Sequence, residues 1–497
     1  MIGALAVGLL AVSTGCGGSS SDDAGPATSG PATTHVAATD PATTTPLGDP
    51  APAPLAWGSC GDGLKCATLT VPVDYGDASS GTVDLAVIRR PAADPGARIG
   101  PLVVNPGGPG GSGVNLVRNG WGVANGLGDR FDLVSWDPRG VGASTPIGCA
   151  DGAAGFLALD RYPGSSDATT RLDQSARALA DDCGAHAQPL LDHLDTATTI
   201  RDVDQLRRAL GVDQISFAGY SYGTAIGLAY LEHYPEHLRA LVVDGVVQPE
   251  WDLAGLLSAQ TNGFDQSLDT TFSDCDAQVS CPVDHAAATY DRVATRLAID
   301  PLPVEGGEFT RTDLAIAAIS AAYDPDLAQQ LLKGLAAADR GDASGLQVLV
   351  QRYENLVTSY PAYAGVECTD LPHPVGAEAY AAFAARLDQE SPRFGAVIAN
   401  ELLPCAYWPA PSSGTPHPAR AGVGGPTVLV VGTTGDPATP YASAQAVARQ
   451  LGTAALLTDT GRGHTSGGRS ACVDATVRRY LIDLTIPPSN ALCTDSS

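Results

Sequence analysis

QISFAGYSYGTAIGLAYLEHYP, residues 214–235, changes its period halfway along. ISFA is short and apolar, as a buried strand is, whereas TAIGLAYLEHY has the length and composition of a helix. Between them, Gly219-Tyr220-Ser221-Tyr222-Gly223 fits G-x-S-x-G. In that motif a strand breaks into a helix so sharply that the serine sits in a strained backbone conformation with its hydroxyl exposed. A glycine-rich turn with an incidental serine would show the same five residues, but without a strand before them and a helix after them. Ser221 is therefore the candidate nucleophile.

Strand and helix signals alternate outward from that turn. CATLTVPVDY (66–75) and TVDLAVIRRP (82–91) read as an antiparallel pair of strands. PLVVN (101–105), FDLVSW (131–136) and LRALVVD (238–244) are apolar runs of strand length, and TATTIRDVDQLRRALG (196–211) has helical periodicity with Gly211 as a stop. Such alternation predicts an α/β fold, a mostly parallel central sheet flanked by helices. From about 248 to 409 the chain is rich in Ala, Leu and Asp, and strand signals nearly vanish. This stretch reads as an inserted, mainly helical cap. PTVLVV and AALLTDT (454–460) restore strand character, and SACVDATVRRYLIDL (470–484) is a closing helix. The expected organisation is a core in two parts, 55–247 and 410–497, around a cap at 248–409.

A serine hydroxyl is a poor nucleophile until a base lies within hydrogen-bond reach. Of nine histidines, His464 is best placed, in the loop GRGHTSGG after the last long strand. Asp436, in GTTGDPATP after the strand TVLVV, is the candidate acid to orient it. The rival is Asp244, at the end of the preceding strand. The order Ser…Asp…His is that of the α/β-hydrolase fold. After PLVV comes Asn105-Pro-Gly-Gly-Pro-Gly-Gly-Ser-Gly113, a loop whose backbone N–H groups can converge on one point. It reads as half of an oxyanion hole through Gly107 or Gly108, completed by the N–H of Tyr222. No G-K-[ST] follows the loop, which makes a nucleotide-phosphate reading a poor one. Asp137 and Arg139, in DPRGVGAS, are expected to form a buried structural ion pair.

PGGPG at 106–110 resembles the HGGPG loop of proline iminopeptidases, with Pro106 in place of the His, and DPRGVGAS resembles their D-x-R-G-x-G-x-S segment. Together with GYSYGT, VECTD around Cys368, CAYWP at Cys405, GDPATP and GRGH, the pattern is similar to that of exported actinobacterial tripeptidyl aminopeptidases, including mycobacterial cell-envelope lipoprotein enzymes. The resemblance runs from Trp57 nearly to the end. It implies an α/β-hydrolase with Ser221, Asp436 and His464 as a catalytic triad, and with Thr439 positioning the acid. It implies release of short N-terminal fragments, tripeptides in these relatives. An aminopeptidase must also recognise a free α-amine, and Glu367 and Asp370 beside Cys368 are the candidates. A carboxylesterase or lipase on the same machinery remains an open alternative, as does a non-catalytic surface binding protein.

The chain has 497 residues, 44% hydrophobic and 16% charged, with a net charge of −26. That charge repels nucleic acid, and no Lys/Arg cluster offsets it. Peptides or small esters are the expected partners, with no cofactor. Residues 1–15 form an apolar run ending in Ser13-Thr14-Gly15 before Cys16, which resembles a lipoprotein signal with Cys16 as the lipidated residue. Residues 16–54, rich in Pro, Thr, Ala and Ser, read as a tether. The expectation is an exported, membrane-anchored protein of the cell envelope, or a secreted one. Beyond Cys16 the cysteines number ten, and export favours disulfides. Neighbour pairing predicts Cys60–Cys66, Cys149–Cys183, Cys275–Cys281, Cys368–Cys405 and Cys472–Cys493. No Cys/His spacing suits a metal.

Overall fold

The apolar runs assemble into one ten-stranded sheet in the computed structural model, which describes residues 49, 51–120, 126–354, 359–488 and 490–494. In chain order the strands are β1 (Gly58–Ser59), β2 (Lys65–Asp74), β3 (Asp77–Arg90), β4 (Gly100–Asn105), β5 (Phe131–Trp136), β6 (Ile215–Tyr220) and β7 (Leu238–Asp244), then β8 (Leu302–Val304), β9 (Gly307–Phe309), β10 (Val428–Gly435), β11 (Ala455–Arg462) and β12 (Ala491–Cys493). The sheet order is β1-β2-β3-β5-β4-β6-β7-β10-β11-β12, with β8 and β9 forming a separate hairpin. From β5 to β12 all neighbours are parallel, and β1, β2 and β3 form an antiparallel edge.

Helices on both faces explain why the central strands are apolar without interruption. Along β4, β6, β7 and β10, alternate side chains enter opposite cores. Val103, Phe217, Leu241 and Val430 pack on one face. Leu102, Val104, Ala218, Val242, Leu429 and Val431 pack on the other. The helix Thr196–Ala209 begins where the Asp195 carboxylate accepts the N–H of Thr198 at 2.7 Å.

The chain leaves the sheet after β7 and returns at β10, which pairs with β7 through Leu241↔Val428. The connection between these parallel neighbours is far longer than the dozen or so residues that a crossover needs. It is mainly helical and includes Leu253–Asp276, Arg311–Tyr323, Tyr360–Asp370 and Ala377–Glu390. The β8–β9 hairpin lies within it, too short to leave a periodicity in the sequence. The chain also does not end on its closing helix. After Ala471–Asp483, β12 adds one more parallel strand beside β11. Residues 1–48, including the signal-like run, Cys16 and most of the tether, lie outside the described residues. Among those described, no helix is long and apolar enough to cross a membrane.

One expected pair does not form. Arg139 meets Asp202, not Asp137, through Nε at 2.8 Å and Nη2 at 2.9 Å. The Asp137 carboxylate instead accepts from Ser112 Oγ, Val114 N and Ala143 N. Local N–H groups at the two turns claim Asp137, and the long arginine reaches across to the 196–209 helix. The ten cysteines pair as neighbours, with Cα separations of 4.9–5.8 Å. The Cys368–Cys405 bridge closes 37 residues of the cap. Its removal in Cys368→Ala/Cys405→Ala should lower unfolding stability by ~2–4 kcal/mol. Denaturant titration beside the wild type measures it, and an unchanged midpoint would refute the prediction.

Candidate active site

Ser221 stands at the tip of β6, where the helix Tyr222–His233 begins, with φ 54° and ψ −127°. That region is sparsely populated for any residue with a side chain and costs on the order of 1–3 kcal/mol. The backbone bonds around it fix the conformation. Ser221 N–H donates to Asp244 O at 3.0 Å, and Thr224 N–H donates to Ser221 O at 2.8 Å. Thr224 Oγ1 also donates to Ser221 O at 2.6 Å.

The glycine loop after β4 lies against this turn. A Cβ on Gly107 would stand 2.3 Å from Tyr220 O and 2.9 Å from Tyr222 N, and Gly107 has φ +90°. No side chain fits there. The two candidate glycines differ in what they offer. Gly107 N–H already donates to Asn105 Oδ1 at 2.9 Å, so it is not free for an oxyanion. Gly108 N–H has no acceptor among the described residues, and Gly108 lines the same pocket as Ser221 and Tyr222. Tyr222, the first residue of its helix, has no intrahelical acceptor for its N–H. The expectation that Gly107 could serve as a donor is therefore corrected. Gly107 makes room, and Gly108 and Tyr222 hold the available N–H groups.

The imidazole and its acid come from the ends of β10 and β11. His464 Nδ1 lies 3.0 Å and 3.1 Å from the two Asp436 oxygens. Asp436 also accepts from the N–H groups of Ala438, Thr439 and Thr465, and from Thr439 Oγ1 at 2.9 Å. Burial alone would raise this carboxyl. The neighbouring His464 and the surrounding N–H donors outweigh burial and hold Asp436 below its ordinary value. Thr439 Oγ1 is also 3.3 Å from His464 Nδ1, so it touches both partners.

Asp244 does not meet the imidazole. Its carboxylate takes the N–H groups of Ser466, at 3.1 Å, and Gly467, at 2.7 Å, and so grips the loop just past His464. Burial pushes it up to about 7. The cap grips the same loop from above. His464 N–H donates to Tyr323 O at 3.0 Å, and the Tyr323 ring meets the imidazole edge-on at 4.9 Å. Nothing in the sequence singles out Tyr323, because the contact depends on how the cap folds back.

His464 Nε2 is buried and has no hydrogen-bond partner among the described residues. Its ring lies over the turn that follows β7. His464 Cε1 is 3.3 Å from where a Gly245 Cβ would stand, one residue past the Asp244 carbonyl that holds Ser221. The imidazole thus lies over the end of β7, the strand paired with β6, and makes no hydrogen bond to Ser221; such contacts commonly tighten only with substrate bound. Glu367 and Asp370, on the cap helix Tyr360–Asp370, line the Ser221 pocket. Asp370 is engaged by Thr196 N–H at 2.6 Å, Thr196 Oγ1 at 2.5 Å and Tyr222 OH at 3.3 Å. The Glu367 carboxylate makes no hydrogen bond among the described residues, and burial pushes it up to about 8. No group of metal-ligating side chains occurs among those residues.

A family model of the alpha/beta hydrolase fold matches residues 100–333, and one described as TAP-like protein matches 391–493. Carboxylesterase B of Mycobacterium tuberculosis is 37% identical over 484 residues, covering 90% of this chain and 91% of that protein. The chain belongs to this α/β-hydrolase family. Serine protease Hip1 of Mycobacterium tuberculosis is 34% identical, covering 87% of each chain. Tripeptidyl aminopeptidase of Streptomyces lividans is 31% identical, covering 84% of this chain and 81% of that one. Serine hydrolase is the description that the fold and these relatives share.

The loop geometry of this hydrolase can be tested apart from its acid and base. Gly107→Ala should lower kcat/KM on a small activated ester by about a hundredfold or more, the scale of losing an oxyanion donor. Activity near the wild-type level in a folded variant would contradict the packing described.

Proposed function

We propose that this hydrolase is an exported serine exopeptidase that releases short N-terminal fragments, tripeptides by resemblance, through an acyl-enzyme. Ser221 Oγ bonds to the scissile carbonyl carbon while His464 Nε2 takes its proton. The carbonyl oxygen becomes an oxyanion beside the N–H groups of Gly108 and Tyr222. The C–N bond then breaks, and His464 returns the proton to the departing amine. Water attacks the ester by the same route in reverse and frees the fragment. Asp436 holds the imidazole in one tautomer, and Thr439 steadies Asp436. The observation that supports this most is a strained, pocket-facing Ser221 together with a buried, Asp436-bound imidazole whose outer nitrogen has no partner among the described residues.

Exchanging each rival acid separates their roles. Asp436→Asn should lower kcat by about 10⁴-fold through the wrong tautomer. Asp244→Asn keeps an acceptor for the loop and should cost far less. Similar losses in both variants would overturn the assignment of Asp436.

Peptidase rather than esterase activity is supported by the Ser221 pocket, where unpaired Glu367 and engaged Asp370 stand ready for a cation. In this proposal Glu367 accepts the substrate α-ammonium, and Asp370 adds negative potential. Glu367 is raised to about 8, so it is largely neutral below that pH, and an arriving ammonium favours its ionised form. Preference for free-amine over N-acetylated tripeptide amides should therefore rise from pH 6 to about 7.5. In Glu367→Gln that preference should fall by about tenfold, on the scale of one charge-assisted hydrogen bond, and lose its pH dependence. Equal losses on blocked and unblocked substrates would end the amine role. Export, with a lipid anchor on Cys16, belongs to the same proposal, and the five disulfides support an oxidising compartment.

A further inference from the structure

The pocket that opens on Ser221 has a volume of about 310 Å³ and extends well beyond the nucleophile. One wall is a single face of the helix Tyr222–His233. Ala225, Leu228, Ala229 and Glu232 follow one another at helical spacing, and all four line it. The other walls include Ile200, Trp251 and Leu256. The two alanines leave the space, since larger side chains at either position would fill it. At the outer end Glu232 is tied to Arg420 at 3.5 Å and faces His417 at 3.7 Å.

Which part of a substrate enters follows from proton transfer. The leaving group must lie beside the imidazole that protonates it. Ser221, Tyr222 and Gly108 line this pocket, and it meets the imidazole only through Thr439, whose hydroxyl lies 3.3 Å from Nδ1, the nitrogen that does not protonate the leaving group. We infer that it is the acyl-side subsite and selects a bulky apolar acyl group over a small or an acidic one, read by Ala225, Ala229 and Leu256. An acidic group there would lose its hydration against apolar walls and meet Glu367, Asp370 and Glu232. The space is about ten times that of one water, far more than a methyl needs.

This inference rests on Ser221 as the nucleophile, but not on the peptidase reading. It therefore applies to esters as well as peptides. The test is the ratio of kcat/KM for p-nitrophenyl octanoate over p-nitrophenyl acetate, repeated with tripeptide amides carrying Leu, Ala or Glu at the acyl residue. The wild type should favour octanoate and Leu and discriminate against Glu. Ala229→Trp should lower the octanoate-to-acetate ratio by about tenfold or more. Leu256→Ala, from the opposite wall, should move the optimum to longer chains. An unchanged ratio in an Ala229→Trp protein that still reacts with a fluorophosphonate overturns the inference. If that variant does not react, an unchanged chain-length profile in Leu256→Ala overturns it instead. A wild type that never labels at Ser221 would show that the nucleophile assignment, not the pocket, has failed.

Discussion

The strained backbone of Ser221 sets the terms for everything around it. A residue at φ 54° persists only where its surroundings leave no alternative. Here β7 supplies a carbonyl to its N–H, and Thr224 binds its carbonyl from within the next helix. The loop after β4 closes in so tightly that only glycine fits at 107. The parallel register of β4, β6 and β7 keeps these groups in place. Much of the apolar core can thus be understood as the support for one unfavourable turn.

Carboxylates of one chemical type are given different tasks by their surroundings. Asp436 is buried, yet it is surrounded by N–H donors and the imidazole, which hold it ionised. Asp244, also buried and with fewer donors, is pushed up to about 7. The Glu367 carboxyl has no donor among the described residues and is pushed further, to about 8. Burying a carboxyl without partners is costly unless it stays neutral. A neutral, unpaired acid in the Ser221 pocket is suited to a ligand that brings its own positive charge.

The sequence was most legible where chemistry and local periodicity coincide. The strand-turn-helix around Ser221, the acid after β10 and the histidine after β11 each follow a strand end, so a parallel sheet puts all three along one edge. Disulfide partners were legible because each cysteine's partner is its sequence neighbour. What depends on long-range packing was not. Arg139 reaches Asp202 rather than Asp137, and no local pattern reports it. Asn105 occupies the Gly107 N–H, which distinguishes two glycines that look equivalent in sequence. Tyr323 reaches His464 only because the cap folds back over the sheet. The β8–β9 hairpin and β12 are three-residue strands, shorter than any periodicity can register.

The central claim is that one hydroxyl, one imidazole and two backbone N–H groups surround a reacting carbonyl. A crystal structure of the enzyme after reaction with a fluorophosphonate tests it most directly, since phosphorus adopts the tetrahedral geometry of the intermediate. The account predicts a covalent bond to Ser221 Oγ. It also predicts the phosphonyl oxygen about 2.7–3.1 Å from the nitrogens of Gly108 and Tyr222. Phosphorus on another residue, or an oxygen directed away from both N–H groups, would contradict it.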